Sequence, residues 1–378
     1  MSLVGPGFLT LVTLVSVVVF ALTLWWWPRL GRPGLRMLAG RAALLLTVNL
    51  LVLATAATAL NNTFGFFADW QDLLGVTGSP AVVTVAQSGH IDPAGHPAVH
   101  GGSVAIRDDP SGSLRLRPDH LTATFTVTGA RSGIRADVLV QVPAAYFDPA
   151  QAKHRFPVIE AFHGYPGRPQ QWVQGMGLGR VLAEGAAAHR MAEAIIVVPD
   201  VQLPVGTDSE CVDAAVRVET WAAVDVPGWL VATFRVQPDR GSWATIGLSS
   251  GGWCAASSAL LHPDRFGAAI VLGGYFRPEF PGTSPFPPSS PAAQRYDLVR
   301  LARTTPPDVA VWLETSPADK VSWSTSSAFV AAARSPLTVQ AVTLPNAGHR
   351  FSVWQGLLPR ALDWLGRTAP GFRPAARA

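Results

Sequence analysis

The segment WATIGLSSGG, Trp243–Gly252, contains the serine with the clearest chemical context in the chain. An apolar run ends at GLSSG, and a stretch rich in Ala, Ser and Leu follows it. G-x-S-x-G between a strand and a helix is typical of a nucleophile elbow, a strained turn that exposes its serine at the edge of a sheet. The pattern therefore predicts Ser249 as a nucleophile. An ordinary tight turn is the alternative.

A serine nucleophile needs a base, because its hydroxyl is weakly nucleophilic at neutral pH. In proteins with this elbow the chain order is serine, acid, histidine. Two histidines follow Ser249 in the sequence. His262 lies in LLHPDRF, at the predicted end of a helix, where a capping role is expected. His349 lies in LPNAGHRF, in a glycine-containing loop between a predicted strand and a helix, and is the predicted base.

The acid that orients the imidazole must lie between the serine and the histidine in sequence. Glu314 and Asp319, in VWLETSPADK, are the two candidates. Glu314 directly follows an apolar run and could still be part of the strand. Asp319 lies in a loop that could reach over the sheet edge. We expect Asp319 to be the acid and keep Glu314 as the alternative.

Stabilising the negative charge of an acyl-transfer intermediate requires two backbone N–H groups. One is predicted from Ser250, the residue after the nucleophile. The other is expected from HGYPG, which follows an earlier apolar strand. Pro166 has no N–H, so Tyr165 or Gly164 must donate, and we predict Tyr165. His163 precedes the nucleophile and is expected to have a structural role.

The elements that must position these residues alternate from about residue 120 onward. LTATFTV and ADVLVQV have the polar–apolar alternation of strands around the turn GARSG. Further strands are predicted at Phe156–Phe162, Ala194–Val198, Trp243–Leu248, Ala268–Leu272, Val309–Leu313 and Val339–Leu344. Helices are predicted at Leu178–Arg190, Val216–Phe234, from the elbow to His262, at Thr325–Ala333 and at Val353–Gly366. Strands that alternate with helices predict an α/β fold with a mostly parallel sheet covered on both faces.

Two uncharged runs precede this domain, about residues 7–27 and 42–60. Each matches the ~20 apolar residues that a helix needs to cross a bilayer. The loop 28–41 between them carries four arginines, which account for the whole net charge of +4. The positive-inside tendency places this loop in the cytoplasm and the rest of the chain outside the cytoplasmic membrane. A cleavable signal sequence and two buried core helices are the alternatives.

The remaining segments are predicted to be a spacer over 61–115, a catalytic domain over 116–368 and a tail over 369–378. His90, His96 and His100 lie in a Gly/Pro-rich stretch, where a surface loop is expected rather than a metal site. No metal or other cofactor is predicted. The proline-rich insert Phe276–Pro291 is expected to be an irregular lid or rim loop. Because the excess charge lies in the 28–41 loop, nucleic-acid binding is not expected.

The chain has two cysteines, Cys211 and Cys254. In an exported domain such a pair can form one disulfide, whereas two residues cannot make a structural zinc site alone. The sequence alone does not decide between a disulfide and two free thiols.

Four segments together resemble the bacterial esterase family that contains esterase D-like enzymes and the antigen 85 mycolyltransferases. They are HGYPG, SECVD with VETWAAVDVPGWL, GLSSGGWCA with HPDRFGAAIVLGG, and NAGHRFSVW, within about residues 120–367. The resemblance implies an α/β-hydrolase fold, Ser249, Asp319 and His349 as a catalytic triad, and Tyr165 and Ser250 as oxyanion donors. Two positions depart from the mycolyltransferases: His163 replaces an acid, and Arg350 replaces a small polar residue.

These observations predict a membrane-anchored extracytoplasmic serine esterase that acts on an acyl ester, with a cell-envelope lipid or glycolipid as the candidate substrate. An acyltransferase that moves the acyl group to a sugar or lipid hydroxyl would use the same residues. A non-catalytic binding protein on a hydrolase scaffold is the third hypothesis, because a fold alone does not secure a function.

Overall fold

The chain begins with a hairpin of two long apolar helices, α1 (Pro6–Trp26) and α2 (Leu35–Phe64). The computed structural model describes residues 3–31, 33–76, 116–280 and 282–374, and the backbone of residues 81–85. Ser16 Oγ lies 2.9 Å from Thr55 Oγ1, and the Gly5 N–H donates to Asn62 Oδ1 at 2.9 Å. The two helices are therefore antiparallel, with Gly5 and Asn62 at the same end.

Both helices are long and apolar enough to cross a membrane, and most of their side chains are exposed. Leu14, Val17 and Leu50, for example, keep 58%, 60% and 66% of their surface accessible. The hairpin is thus not the core of the folded domain, which removes the core-helix alternative. Helix α2 begins at Leu35, so Arg36 and Arg41 lie within it and not in a loop.

A nine-stranded sheet forms the centre of the described domain, in the order β1-β9-β8-β7-β6-β4-β5-β3-β2. The strands are β1 Ala81–Val85, β2 Thr122–Thr128, β3 Arg135–Gln141, β4 Val158–Phe162, β5 Ile195–Pro199, β6 Trp243–Leu248, β7 Ala268–Leu272, β8 Ala310–Thr315 and β9 Thr338–Thr343. Strands β5, β4, β6, β7, β8 and β9 lie side by side in that order and are all parallel. Strand β1 pairs antiparallel with β9 at one side of the sheet, and β3 and β2 continue the sheet antiparallel beyond β5 at the other. The predicted α/β sheet is confirmed.

Nine further helices complete the described fold. They are α3 Trp70–Leu73, α4 Leu178–Ala187, α5 Val218–Thr220, α6 Val226–Thr233, α7 Ser250–Leu261, α8 Pro291–Arg295, α9 Leu298–Thr304, α10 Trp323–Ala332 and α11 Phe351–Thr368. One wide helical turn, Trp221–Asp225, joins α5 to α6 and places Pro227 near the start of α6, where its missing N–H costs no hydrogen bond.

Two hydrophobic cores lie on opposite faces of the sheet. Helices α6, α7, α9 and α10 contribute to one, and α4 and α11 to the other. Strand β4 shows why: Val158 and Phe162 belong to the first core, while Ile159 and Ala161 belong to the second. Adjacent side chains of a strand point to opposite faces, so a strand covered on both faces must be a continuous apolar run.

Strand β1 lies within the segment 61–115 that the sequence assigned to a spacer. It pairs antiparallel with β9, from Ala81 opposite Thr343 to Val85 opposite Val339. The strand covers an edge of β9 that would otherwise present unpaired backbone groups. The predicted domain start at 116 therefore leaves out one strand of the sheet. The three histidines at 90, 96 and 100 lie outside the described residues.

Candidate active site

Ser249 occupies the sharp turn between β6 and α7, with φ 57° and ψ −128°. A positive φ is costly for a residue with a Cβ and is typical of functional turns whose surroundings enforce it. The turn also needs a glycine, because a Cβ at Gly251 would lie 2.2 Å from the carbonyl oxygen of Phe162 in β4. The Ser249 N–H donates to the Leu272 carbonyl at 2.9 Å, which fixes the turn to β7. The predicted elbow geometry is present.

His349 and Asp319 meet Ser249 at this edge of the sheet. His349 Nε2 lies 2.8 Å from Ser249 Oγ, and His349 Nδ1 lies 2.9 Å from Asp319 Oδ2. His349 is 8% exposed, and its imidazole makes an edge-to-face contact with Trp354 at 4.9 Å between ring centroids. A serine hydroxyl, an imidazole and a carboxylate in this sequence of contacts can pass a proton from serine to histidine.

Asp319 is held as a carboxylate by several donors. Ser322 Oγ donates to its Oδ2 at 2.8 Å, and the Val321 N–H donates to its Oδ1 at 3.0 Å. Burial raises the pKa of Asp319, but the hydrogen bond and charge of His349 and the hydrogen bonds from Ser322 outweigh burial and hold it below the ordinary value. The residue is therefore suited to orient an imidazole and stabilise its charged form.

Glu314, the alternative acid, lies in a different environment. It is the fifth residue of β8, and its Oε2 accepts the Gly273 N–H at 3.0 Å. Burial, and then the charge of nearby Asp319, raise the pKa of Glu314 to about 8. The carboxyl group is thus protonated at neutral pH and hydrogen-bonded to Gly273, whereas Asp319 contacts His349.

The predicted oxyanion donors lie on two elements that meet at Ser249. Ser250 is the first residue of α7, where a backbone N–H has no partner within the helix. Tyr165 follows Gly164, and a Cβ at Gly164 would lie 3.3 Å from the Ser249 Cβ. Gln202 Nε2 donates to the Gly164 carbonyl at 3.1 Å, which supports this loop.

The other histidines of the predicted site region have different partners. His262 directly follows α7, and its Nε2 lies 2.8 Å from Glu219 Oε1. The other oxygen of this carboxylate, Oε2, accepts the Tyr296 hydroxyl at 2.5 Å. His163 is buried after β4, with Nε2 3.6 Å from Asp200 Oδ1. His262 lies at the end of α7 opposite Ser249, whereas His163 directly precedes Gly164, whose loop lies beside the serine. Among the described residues, no group of three or more His, Cys, Asp or Glu side chains is arranged to hold a metal ion.

Cys211 and Cys254 form a disulfide, with their Cα atoms 5.5 Å apart. It connects α7 to the loop that carries Glu210, a buried residue that the sequence did not indicate. Glu210 accepts the Tyr275 hydroxyl at 2.5 Å and the Glu279 N–H at 2.9 Å. Burial, and then nearby carboxylates, raise the pKa of Glu210 to about 8. The proline-rich insert, irregular as predicted, is thereby attached beside the elbow helix.

The sheet order, the elbow after β6 and helices on both faces define the class of protein: it has the α/β-hydrolase fold. A solved ferulic acid esterase has the same fold, with a TM-score of 0.54 and 19% identity over 65% of this chain and 97% of that one.

Residues 130–365 match the Esterase family, and the chain belongs to that family. It is 27% identical to an uncharacterised protein of Corynebacterium glutamicum over 64% of this chain and 60% of that protein. A shorter match, 36% identical, covers 18% of this chain and 21% of the MPT51 antigen of Mycobacterium leprae. The chain thus spans less than two thirds of the length of each of these relatives. The resemblance predicted from the motifs is confirmed.

Proposed function

We propose that this protein is a membrane-anchored serine esterase that forms an acyl-enzyme on Ser249. The observation that carries the proposal is the chain of contacts from Ser249 Oγ through His349 to Asp319, at 2.8 Å and 2.9 Å. Membership of the Esterase family favours ester chemistry over a non-catalytic role.

In the proposed mechanism, Ser249 Oγ attacks the ester carbonyl while His349 Nε2 takes its proton. The N–H groups of Ser250 and Tyr165 stabilise the oxyanion that forms. When the intermediate collapses, the bond to the alcohol breaks and His349 donates the proton to the leaving oxygen. A second hydroxyl, from water or from an acceptor alcohol, then attacks the acyl-enzyme by the same route in reverse and restores Ser249.

We infer that the substrate is an ester at the membrane surface. The backbone N–H of His349 donates at 2.9 Å to the backbone carbonyl of Gly65, the residue that follows α2. Phe64 and Phe66 remain 46% and 41% exposed beside this point, as expected for aromatic residues at a lipid–water interface. A site so close to the end of an anchoring helix favours a lipid or glycolipid ester over a small soluble one.

The decisive experiment compares Ser249→Ala with Ser250→Ala in the full-length protein. Ser249→Ala should abolish labelling by a fluorophosphonate and leave only the residual ~10³–10⁴-fold catalysis over water that binding and the oxyanion donors supply. Ser250→Ala keeps its backbone N–H and should retain most of the turnover of p-nitrophenyl esters. The reverse pattern would mean that the nucleophile has been assigned to the wrong residue.

Hydrolysis and acyl transfer share every residue of the proposed mechanism and differ only in the hydroxyl that resolves the acyl-enzyme. A series of esters of increasing acyl length, assayed with and without a sugar acceptor, separates the two. Release of free acid in the presence of acceptor supports the esterase, whereas acylated acceptor supports the transferase. If no ester reacts and no label is bound, the binding-protein hypothesis gains support.

A further inference from the structure

The segment that leaves α2, residues Gly65–Asp72, contacts the loop that carries His349. We call it the juxtamembrane segment. The backbone carbonyl of Gly65 accepts the backbone N–H of His349 at 2.9 Å, and Asp69 Oδ1 accepts a hydrogen bond from Asn346 Nδ2 at 3.0 Å. A Cβ at Gly348 would lie 2.3 Å from the Phe66 carbonyl oxygen, so the two backbones are in close contact. The histidine loop is thus packed against a segment that lies more than 270 residues earlier in the chain.

Asp72 is the centre of this contact. Its side chain is fully buried, and its two oxygens accept a bidentate pair of hydrogen bonds from Arg350, at 2.6 Å and 2.5 Å. Oδ2 also accepts the backbone N–H groups of Gly348, at 3.0 Å, and of Ala68, at 2.8 Å. One carboxylate therefore holds the residues on both sides of His349 and also the segment to which it belongs.

The guanidinium of this pair also has uncharged partners, among them the Ser352 hydroxyl at 3.0 Å and the Asp72 carbonyl at 3.3 Å. The Arg350 guanidinium also donates to the carbonyl of Phe66 at 3.1 Å and lies 4.9 Å from the centre of the Phe67 ring. A bidentate arginine–carboxylate pair fixes direction as well as distance, and removing one member of a buried pair leaves an uncompensated charge. Arg350 is one of the two positions at which the sequence departs from the mycolyltransferases that it resembles, and its contact with Asp72 accounts for the arginine there.

We propose that Asp72 is a positioning residue for His349, acting through Arg350 and the Gly348 N–H, so that the juxtamembrane segment is part of the active site. The membrane anchor and the catalytic base then form one mechanical unit. This inference rests on the proposed function, because it assumes that His349 is the base for Ser249. Asp72 itself touches no reacting atom.

The test uses the full-length protein in lipid nanodiscs and the variants Asp72→Asn, Arg350→Gln and the double variant. Asp72→Asn keeps the size of the side chain but removes its charge. We expect kcat for a p-nitrophenyl ester to fall about 10- to 100-fold with KM changed less than about threefold, because a displaced base affects the chemical step rather than binding. Arg350→Gln should give a similar loss. The double variant should lose little more than either single variant, since both act through one contact.

Asp363→Asn is the matched control, because Asp363 accepts from Arg190 at 2.7 Å in another ion pair that attaches α11 to a neighbouring loop. It should leave kcat unchanged, with a smaller shift in unfolding temperature than that of Arg350→Gln, because the Arg190–Asp363 pair is partly exposed. If Asp72→Asn does not fold, Arg350→Gln carries the test alone.

Normal kcat in Asp72→Asn or in folded Arg350→Gln would overturn the positioning role, as would losses in the two single variants that simply multiply in the double. Ser249→Ala measured in parallel separates the two proposals. If Ser249→Ala is inactive and the Asp72 and Arg350 variants are normal, only the positioning role fails. If Ser249→Ala is active, the proposed function fails.

Discussion

Glu314 lies in β8 and Asp319 lies in the loop that follows it, yet their surroundings favour different protonation states. Asp319 has left the strand and receives hydrogen bonds from His349 and Ser322, which keep its pKa low despite burial. Glu314 remains inside the strand, where burial and the charge of Asp319 raise its pKa to about 8. Two adjacent carboxylates could not both be charged at low cost, so the pair separates into one charged and one neutral group.

This separation gives a prediction for the orienting acid. Asp319→Asn should lower kcat by about 10⁴-fold, because an amide stabilises the wrong imidazole tautomer and cannot balance its charge. Glu314→Gln should lower kcat less than about tenfold, since an amide can still accept the Gly273 N–H as the protonated acid does. Steady-state kinetics on a p-nitrophenyl ester measures both. A larger loss for Glu314→Gln would identify Glu314 as the residue that orients His349.

The sequence was sufficient to predict Ser249, Asp319 and His349 as one group, because each follows a strand in the order that the elbow requires. It could not indicate Asp72 or Glu210. Asp72 lies in a segment that appeared to be a spacer, and its partner Arg350 appeared only as a departure from the family pattern. Such partners are brought together by tertiary packing, which no local pattern of residue types encodes.

At the scale of elements, strands that are buried on both faces were predicted to within a few residues. β6 and β7 occur as expected, because a short apolar run bounded by glycine or proline has few other structures available. Strand β1 was missed because AVVTV is short and lies among glycines, prolines and histidines. Its strand structure depends on pairing with β9, 253 or more residues away.

The disulfide between Cys211 and Cys254 should stabilise the connection between the Glu210 loop and α7. It closes a loop with a sequence separation of 43, for which chain entropy predicts at most about 4 kcal/mol. A Cys211→Ser/Cys254→Ser variant should therefore lose about 2–4 kcal/mol of free energy of unfolding, measured by denaturant titration without reductant. Reductant should bring the wild type to the same value. Thiols that react fully before reduction would contradict the prediction.

At the scale of the whole molecule, the hairpin and the domain are joined at the histidine loop. The antiparallel hairpin places Gly5 and Asn62 at one end, next to the domain, and the arginine-rich turn at the other. Trp70 also contacts Phe8 of α1, with ring centroids 5.3 Å apart. In the proposed membrane-anchored protein, the orientation of the hairpin therefore determines the side of the membrane on which the proposed active site works.

We predict that this side is extracytoplasmic. Arg29, Arg36 and Arg41 lie at the end of the hairpin opposite the domain, residues 1–60 contain no acidic residue, and loops rich in Arg and Lys are retained in the cytoplasm. A reporter that is active only outside the cytoplasm should therefore be active when it is fused after Ala378. The same reporter inserted at Gly31 should be inactive. Replacing the four arginines of residues 29–41 with glutamine should weaken this difference, since the charge bias that sets the orientation is then gone. An active reporter at Gly31 with an inactive one after Ala378 would place the domain in the cytoplasm, where the disulfide would not be expected to persist.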